Sequence, residues 1–153
     1  MCSVLEYFMK KICIALMLCL GISKAYASEL NNLASCTGIM MGDATIMYSV
    51  NGDRDKLQTA FVLAYAGYLG YAMDKKPSQS DGLQADNFLQ TNMELIITKY
   101  ETDNYTYETA EEVIECYQLN GTKLLEFSKT IVENEKMIIQ MATNASSDVI
   151  ANF

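Results

Sequence analysis

From Glu29 onward, apolar residues recur at three- and four-residue steps, the period of a helix with one buried face. No stretch shows the strict alternation of a half-buried strand. The pattern predicts five segments. The first, about 29–50, places Leu33, Cys36, Met40, Ala44 and Met47 on one side, and Asn51-Gly52-Asp53 ends it as a turn. The second, about 55–73, carries no charge from Thr59 to Met73 and is apolar all round, as a central buried helix must be. After the loop Lys75–Ser80, with Ser80 or Asp81 able to cap, the third (about 82–100) carries Leu83, Phe88, Leu89, Met93, Ile96, Ile97 and Tyr100. Glu101–Thr106 breaks the pattern. Thr109-Ala110-Glu111-Glu112 then reads as a capping box opening the fourth segment, with Val113, Cys116 and Tyr117 facing inward. Asn120-Gly121 ends or kinks that helix, and the fifth segment, about 122–144, has the stripe Leu124, Phe127, Ile131, Ile138, Met141 and Ala145.

The chain upstream has a different pattern. Lys10-Lys11, the uncharged run Ile12–Ser23 and the small-x-small triplet Ala25-Tyr26-Ala27 form a secretory signal, with cleavage expected before Ser28. The apolar run is shorter than the roughly 20 residues a membrane-spanning helix needs. Met9, directly before the lysine pair, is the more usual kind of start. Leu33-Ala34-Ser35-Cys36 has the residue types of a lipidation box, but the polar Ser28–Asn32 separates it from the apolar run. The reading is therefore a signal peptide over residues 1–27 and one helical domain over residues 28–153, periplasmic or secreted, with no stable membrane span after cleavage.

Removing the leader changes the cysteine arithmetic. Of five cysteines, Cys2, Cys13 and Cys19 go with it, and Cys36 and Cys116 remain as a single pair in an oxidising compartment. Their bond ties the first segment to the fourth. The expected fold is all-α: a single-domain antiparallel bundle of about five helices with one disulfide.

Charge and missing residue types narrow the function. The chain carries −8 overall, and residues 28–153 hold 18 acidic and 8 basic side chains, a net −10. Such a surface repels phosphate backbones, so nucleic acid is excluded as a natural partner, whereas a basic protein or a cation is favoured. The chain contains no histidine. That removes histidine-based nucleophilic catalysis, histidine-ligated zinc and axial-histidine haem. Glu108, Glu111, Glu112 and Glu115 form a carboxylate ridge at helical spacing, read here as a solvated face near a helix N-terminus rather than an acid–base pair. A carboxylate-dependent hydrolase would need Glu112 and Glu115; exchanging both for glutamine is expected to leave function intact. Asn51–Asp55 lacks the glycine position and the twelfth-position glutamate of a calcium loop. No catalytic residue, metal site or cofactor is assigned.

Two features remain as candidate chemistry. Tyr65, Tyr68 and Tyr71 recur every third residue and, with Phe61 and Met40, are candidate lining for a small apolar ligand, or else amphipathic core residues whose hydroxyls reach the surface. Gly38-x-x-x-Gly42 lets another helix approach closely. The seven residues Cys36-Thr37-Gly38-Ile39-Met40-Met41-Gly42 resemble the Cys-x-Gly-aromatic-x-x-Gly helix of small disulfide-bonded periplasmic immunity proteins, with Ile39 in the aromatic position. The reading that follows is an exported, non-enzymatic protein-interaction or inhibitor/immunity-like module. The alternative is a carrier of a small apolar ligand in a Tyr/Met-lined pocket.

Overall fold

The computed structural model describes the backbone of residues 2–152 and the side chains of residues 26–152. The leader expected over residues 1–27, and with it the alternative start at Met9, falls outside the described side chains but for Tyr26 and Ala27. Among the described residues all regular structure is helical, and there are six helices, not five: α1 (Cys2–Asn51), α2 (Arg54–Lys75), α3 (Gln79–Glu101), α4 (Tyr107–Glu126), α5 (Ser128–Glu133) and α6 (Glu135–Asn152). None of them is long and apolar enough, over the described residues, to cross a membrane.

Local chemistry explains most of the boundaries. Gly52 takes φ +66° in the turn after α1, and Asp53 caps α2 by accepting from the Lys56 N–H at 3.1 Å. Ser78, rather than Ser80 or Asp81, caps α3, accepting from the Asp81 N–H at 3.1 Å. Thr106 caps α4, so that helix opens a turn earlier than the expected box, and Thr109 is buried inside its first turn. The largest correction concerns Asn120-Gly121. The helix runs straight through it, because the Asn120 amide donates to the Leu63 carbonyl of α2 at 3.0 Å and gains a tertiary partner instead of a local one. The break comes at Phe127, so the expected fifth segment is divided among the end of α4, α5 and α6.

Pairings across the helices set their directions. Glu29 meets Lys123 and Cys36 meets Cys116, so α1 and α4 run antiparallel. Tyr71 reaches Tyr26 and Glu29, and the Thr37 hydroxyl donates to the Ala64 carbonyl, so α1 and α2 are antiparallel as well. On the other side of α1, Gly38 lies against Leu89 and Met93, and Gly42 against Met93 and Ile96, a parallel contact with α3. A Cβ on Gly42 would sit 2.9 Å from the Met93 carbonyl oxygen, and one on Gly38 would overlap the Leu89 carbonyl. The paired glycines thus allow two backbones to touch. α2 is the central helix, packed on α1, α4, α5 and α6. One apolar cluster, from Leu30 on α1 to Ala142 on α6, joins all the layers.

Candidate functional site

The residues singled out as ligand lining do not converge on one cavity. Met40, Phe61 and Tyr71 are buried in the core. The Tyr71 ring packs edge-on against Phe127 at 5.6 Å, and its hydroxyl donates to Glu29 Oε2 at 3.2 Å and to the Tyr26 carbonyl at 3.3 Å. Tyr65 and Tyr68 are buried as well, and they also border an open cleft of about 400 Å³, together with Leu69, Leu89, Gln90 and Met141. There the Tyr68 hydroxyl donates to Asp86 Oδ1 at 3.1 Å, and burial followed by the Asp86 charge raises the Tyr68 pKa well above its ordinary value.

The end of the bundle near Tyr71 is held by ions. Lys123, buried on α4, meets Glu29 Oε1 at 2.6 Å and Glu126 Oε2 at 2.8 Å. Its ammonium also lies 5.6 Å from the ring centres of both Tyr71 and Phe127. The Lys123 hydrogen bond holds the Glu29 carboxyl below its usual range. Every strong polar group in this cluster is partnered, which is the signature of a structural clasp.

The Cys36–Cys116 disulfide is formed, with Cα atoms 4.9 Å apart, and it anchors the middle of α4 to α1. That attachment decides which side of α4 faces outward. Val113, Cys116, Asn120 and Lys123 point into the bundle. On the opposite side lie Tyr107, Glu111, Ile114, Gln118 and, two turns on, Leu125, at successive helical steps. Tyr107 is 77 % exposed, Ile114 55 % and Leu125 81 %. Of the carboxylate ridge, Glu112 pairs with Lys99 at 3.5 Å, while Glu108, Glu111 and Glu115 are exposed and have no ion pair among the described residues. Large apolar side chains interleaved with carboxylates that have no ion pair set this face apart from an ordinary solvated helix face. The ridge was legible in the sequence. The apolar residues between the carboxylates were not singled out, although the step 107, 111, 114, 118 is itself helical.

A second acidic feature escaped the sequence reading. Asp43 on α1 accepts hydrogen bonds from the hydroxyls of Tyr105 and Tyr117, each at 3.3 Å. Tyr117, expected to face inward, is therefore a partly exposed residue bound to Asp43. Burial, only partly offset by the two phenol hydrogen bonds, raises the Asp43 pKa above 3.8. Burial and then the Asp43 charge push Tyr105 and Tyr117 up to about 12. A carboxyl whose pKa is higher folded than unfolded stabilises most when protonated, and that contribution is lost as pH rises through the folded value. Asp43→Asn, which mimics the protonated form, should therefore raise stability at pH 7 and leave it unchanged below pH 3.8. Denaturant melts of both proteins across that range check the sign.

Among the described residues no group of three or more histidine, cysteine, aspartate or glutamate side chains is arranged to hold a metal ion. Comparison with protein families, curated proteins and solved structures finds no match to this chain.

Proposed function

We propose that the chain is an exported, non-enzymatic protein-interaction module of the inhibitor or immunity kind, and that the outer face of α4 docks a basic protein. Export rests on the leader pattern and on the disulfide, a bond that persists in oxidising compartments. The docking face rests on one observation, the stripe of exposed Tyr107, Ile114 and Leu125 threaded by Glu108, Glu111 and Glu115. The apolar residues supply area that gains by leaving water. The carboxylates, within an excess of negative charge over residues 28–153, steer a positive partner and reject an acidic one.

The test is capture on immobilised protein, comparing wild type with the triple variant Glu108→Lys, Glu111→Lys and Glu115→Lys. All three positions are exposed, so no packing is lost, and reversing charge near the α4 N-terminus should cost about 1–2 kcal/mol, which an unfolding melt of the variant measures alongside capture. Wild type is expected to retain a basic protein, and to release it as salt rises, while the variant loses it by about tenfold or more. Equal capture by the two proteins, or a retained partner that is acidic, overturns this assignment of the face.

The carrier reading draws on the cleft beside Tyr65 and Tyr68, where Leu69, Leu89 and Met141 offer apolar walls. An adduct on the freshly purified protein in native mass spectra would favour it over docking. Against it stands the filling of the interior by Met40, Phe61 and Tyr71, while the cleft beside Tyr65 and Tyr68 is open to solvent.

A further inference from the structure

Asp43 is a carboxylate without a cation. Its Oδ1 takes the Tyr105 hydroxyl and its Oδ2 the Tyr117 hydroxyl, both neutral donors at 3.3 Å, and no ammonium or guanidinium among the described residues pairs with it. Each carboxylate oxygen can accept two hydrogen bonds, so both retain acceptor capacity. Beside it opens a cleft of about 200 Å³ walled by Tyr48, Tyr117, Met47, Ala44, Leu57 and Ala60. The cation at its edge, Lys56, is 80 % exposed and held by Asp53 at 2.9 Å.

These parts have complementary uses. A half-buried charge costs stability, and a bound counter-charge offsets that cost. Tyrosine rings attract cations through their faces, and a methionine adapts to an alkyl stem. A single carboxylate with two phenols falls short of the six to eight oxygens a calcium ion takes. The space suits a charged head on a short alkyl chain and is too small for a nucleotide or an acyl tail. We propose that the Asp43 cleft binds an organic cation, an alkylammonium or alkylguanidinium group. The group comes either from a free amine or from a lysine or arginine side chain of a protein. The proposal does not rest on the α4 docking face: Asp43 lies on α1, and its ligand can be tested alone.

The experiment is a calorimetric or NMR titration of the oxidised protein with n-butylguanidinium, n-butylammonium and the neutral n-butylurea. Both cations are expected to saturate a single site at about 1 mM or below, and butylurea to bind at least about tenfold more weakly. Asp43→Asn should weaken the cations by about tenfold or more, since the charge-assisted bonds are lost. Met47→Lys, at a solvent-facing wall position where folding is not at stake, should do the same by placing a cation in the cleft. Tyr117→Phe, which keeps the ring and frees a carboxylate oxygen, should bind as well as wild type or better. A titration with N-acetyl-Ala-Arg-Ala-amide identifies the source. Tighter binding of the peptide than of butylguanidinium points to a protein side chain, the reverse order to a free amine, and either order upholds the site. Failure of the wild type to saturate, equal binding of butylurea, or wild-type affinity in both Asp43→Asn and Met47→Lys overturns it.

Discussion

Replacing both Cys36 and Cys116 with alanine is expected to lower the free energy of unfolding by about 4 kcal/mol, the largest loss of any change considered. The bond spans 80 residues, enclosing all of α2 and α3, so cutting it restores a large loop entropy to the unfolded chain. The same chain entropy has a second consequence. The unfolded state of the variant is more expanded, so the denaturant dependence of its stability should steepen as its midpoint falls. Urea melts of the variant, the oxidised wild type and the reduced wild type make the comparison, and the reduced protein should resemble the variant. If all three melt together, the bond contributes nothing to the fold.

The second large effect is at Gly38. Alanine there would drive its Cβ into the Leu89 carbonyl and to 3.0 Å from the Met93 nitrogen. Those are backbone atoms, which cannot swing aside like the end of a side chain, so α1 and α3 must separate. A loss of about 2–3 kcal/mol is expected, the upper part of the usual overpacking range. The control is Gly121→Ala, also on a helix but with open space where the Cβ would go. That change should stabilise by up to about 1 kcal/mol, because alanine is the better helix former and nothing obstructs it. Two glycine-to-alanine changes of opposite sign, read by thermal or urea denaturation, separate interhelix contact from intrinsic propensity. The same sign at both positions would deny the close approach of α1 to α3.

How much of this was legible beforehand differs from residue to residue. The three-four spacing of Leu33, Cys36, Met40 and Ala44 is a property of one helix and held, but Met47, expected on the same side, is 55 % exposed because nothing among the described residues covers the end of that stripe. Gly38 and Gly42 announced a close approach because only small residues permit one, yet their spacing is silent on the partner, which proved to be α3. Asn120-Gly121 looked like a helix end because asparagine and glycine usually satisfy the backbone locally. Here the Leu63 carbonyl, 57 residues away, took the amide, and no local pattern carries that information.

The functional features divide in the same way. The glutamates of α4 and the tyrosines of α2 could be read off as periodic runs. Asp43 could not. It is an isolated acid in an apolar helix, and its partners Tyr105 and Tyr117 lie 62 and 74 residues downstream, one of them in a loop.

The sequence by itself determined what depends on neighbours along the chain: helices throughout the described residues and the turn at Gly52. Only the tertiary structure decided which face of α4 is free, which of the buried tyrosines also border a cleft, and that Asp43 lies beside two phenols rather than a cation. Helical period is a short-range property set by backbone geometry, whereas the surroundings of a side chain are set by helices that meet across tens of intervening residues, after the packing of the glycine contact and the disulfide has fixed how those helices lie.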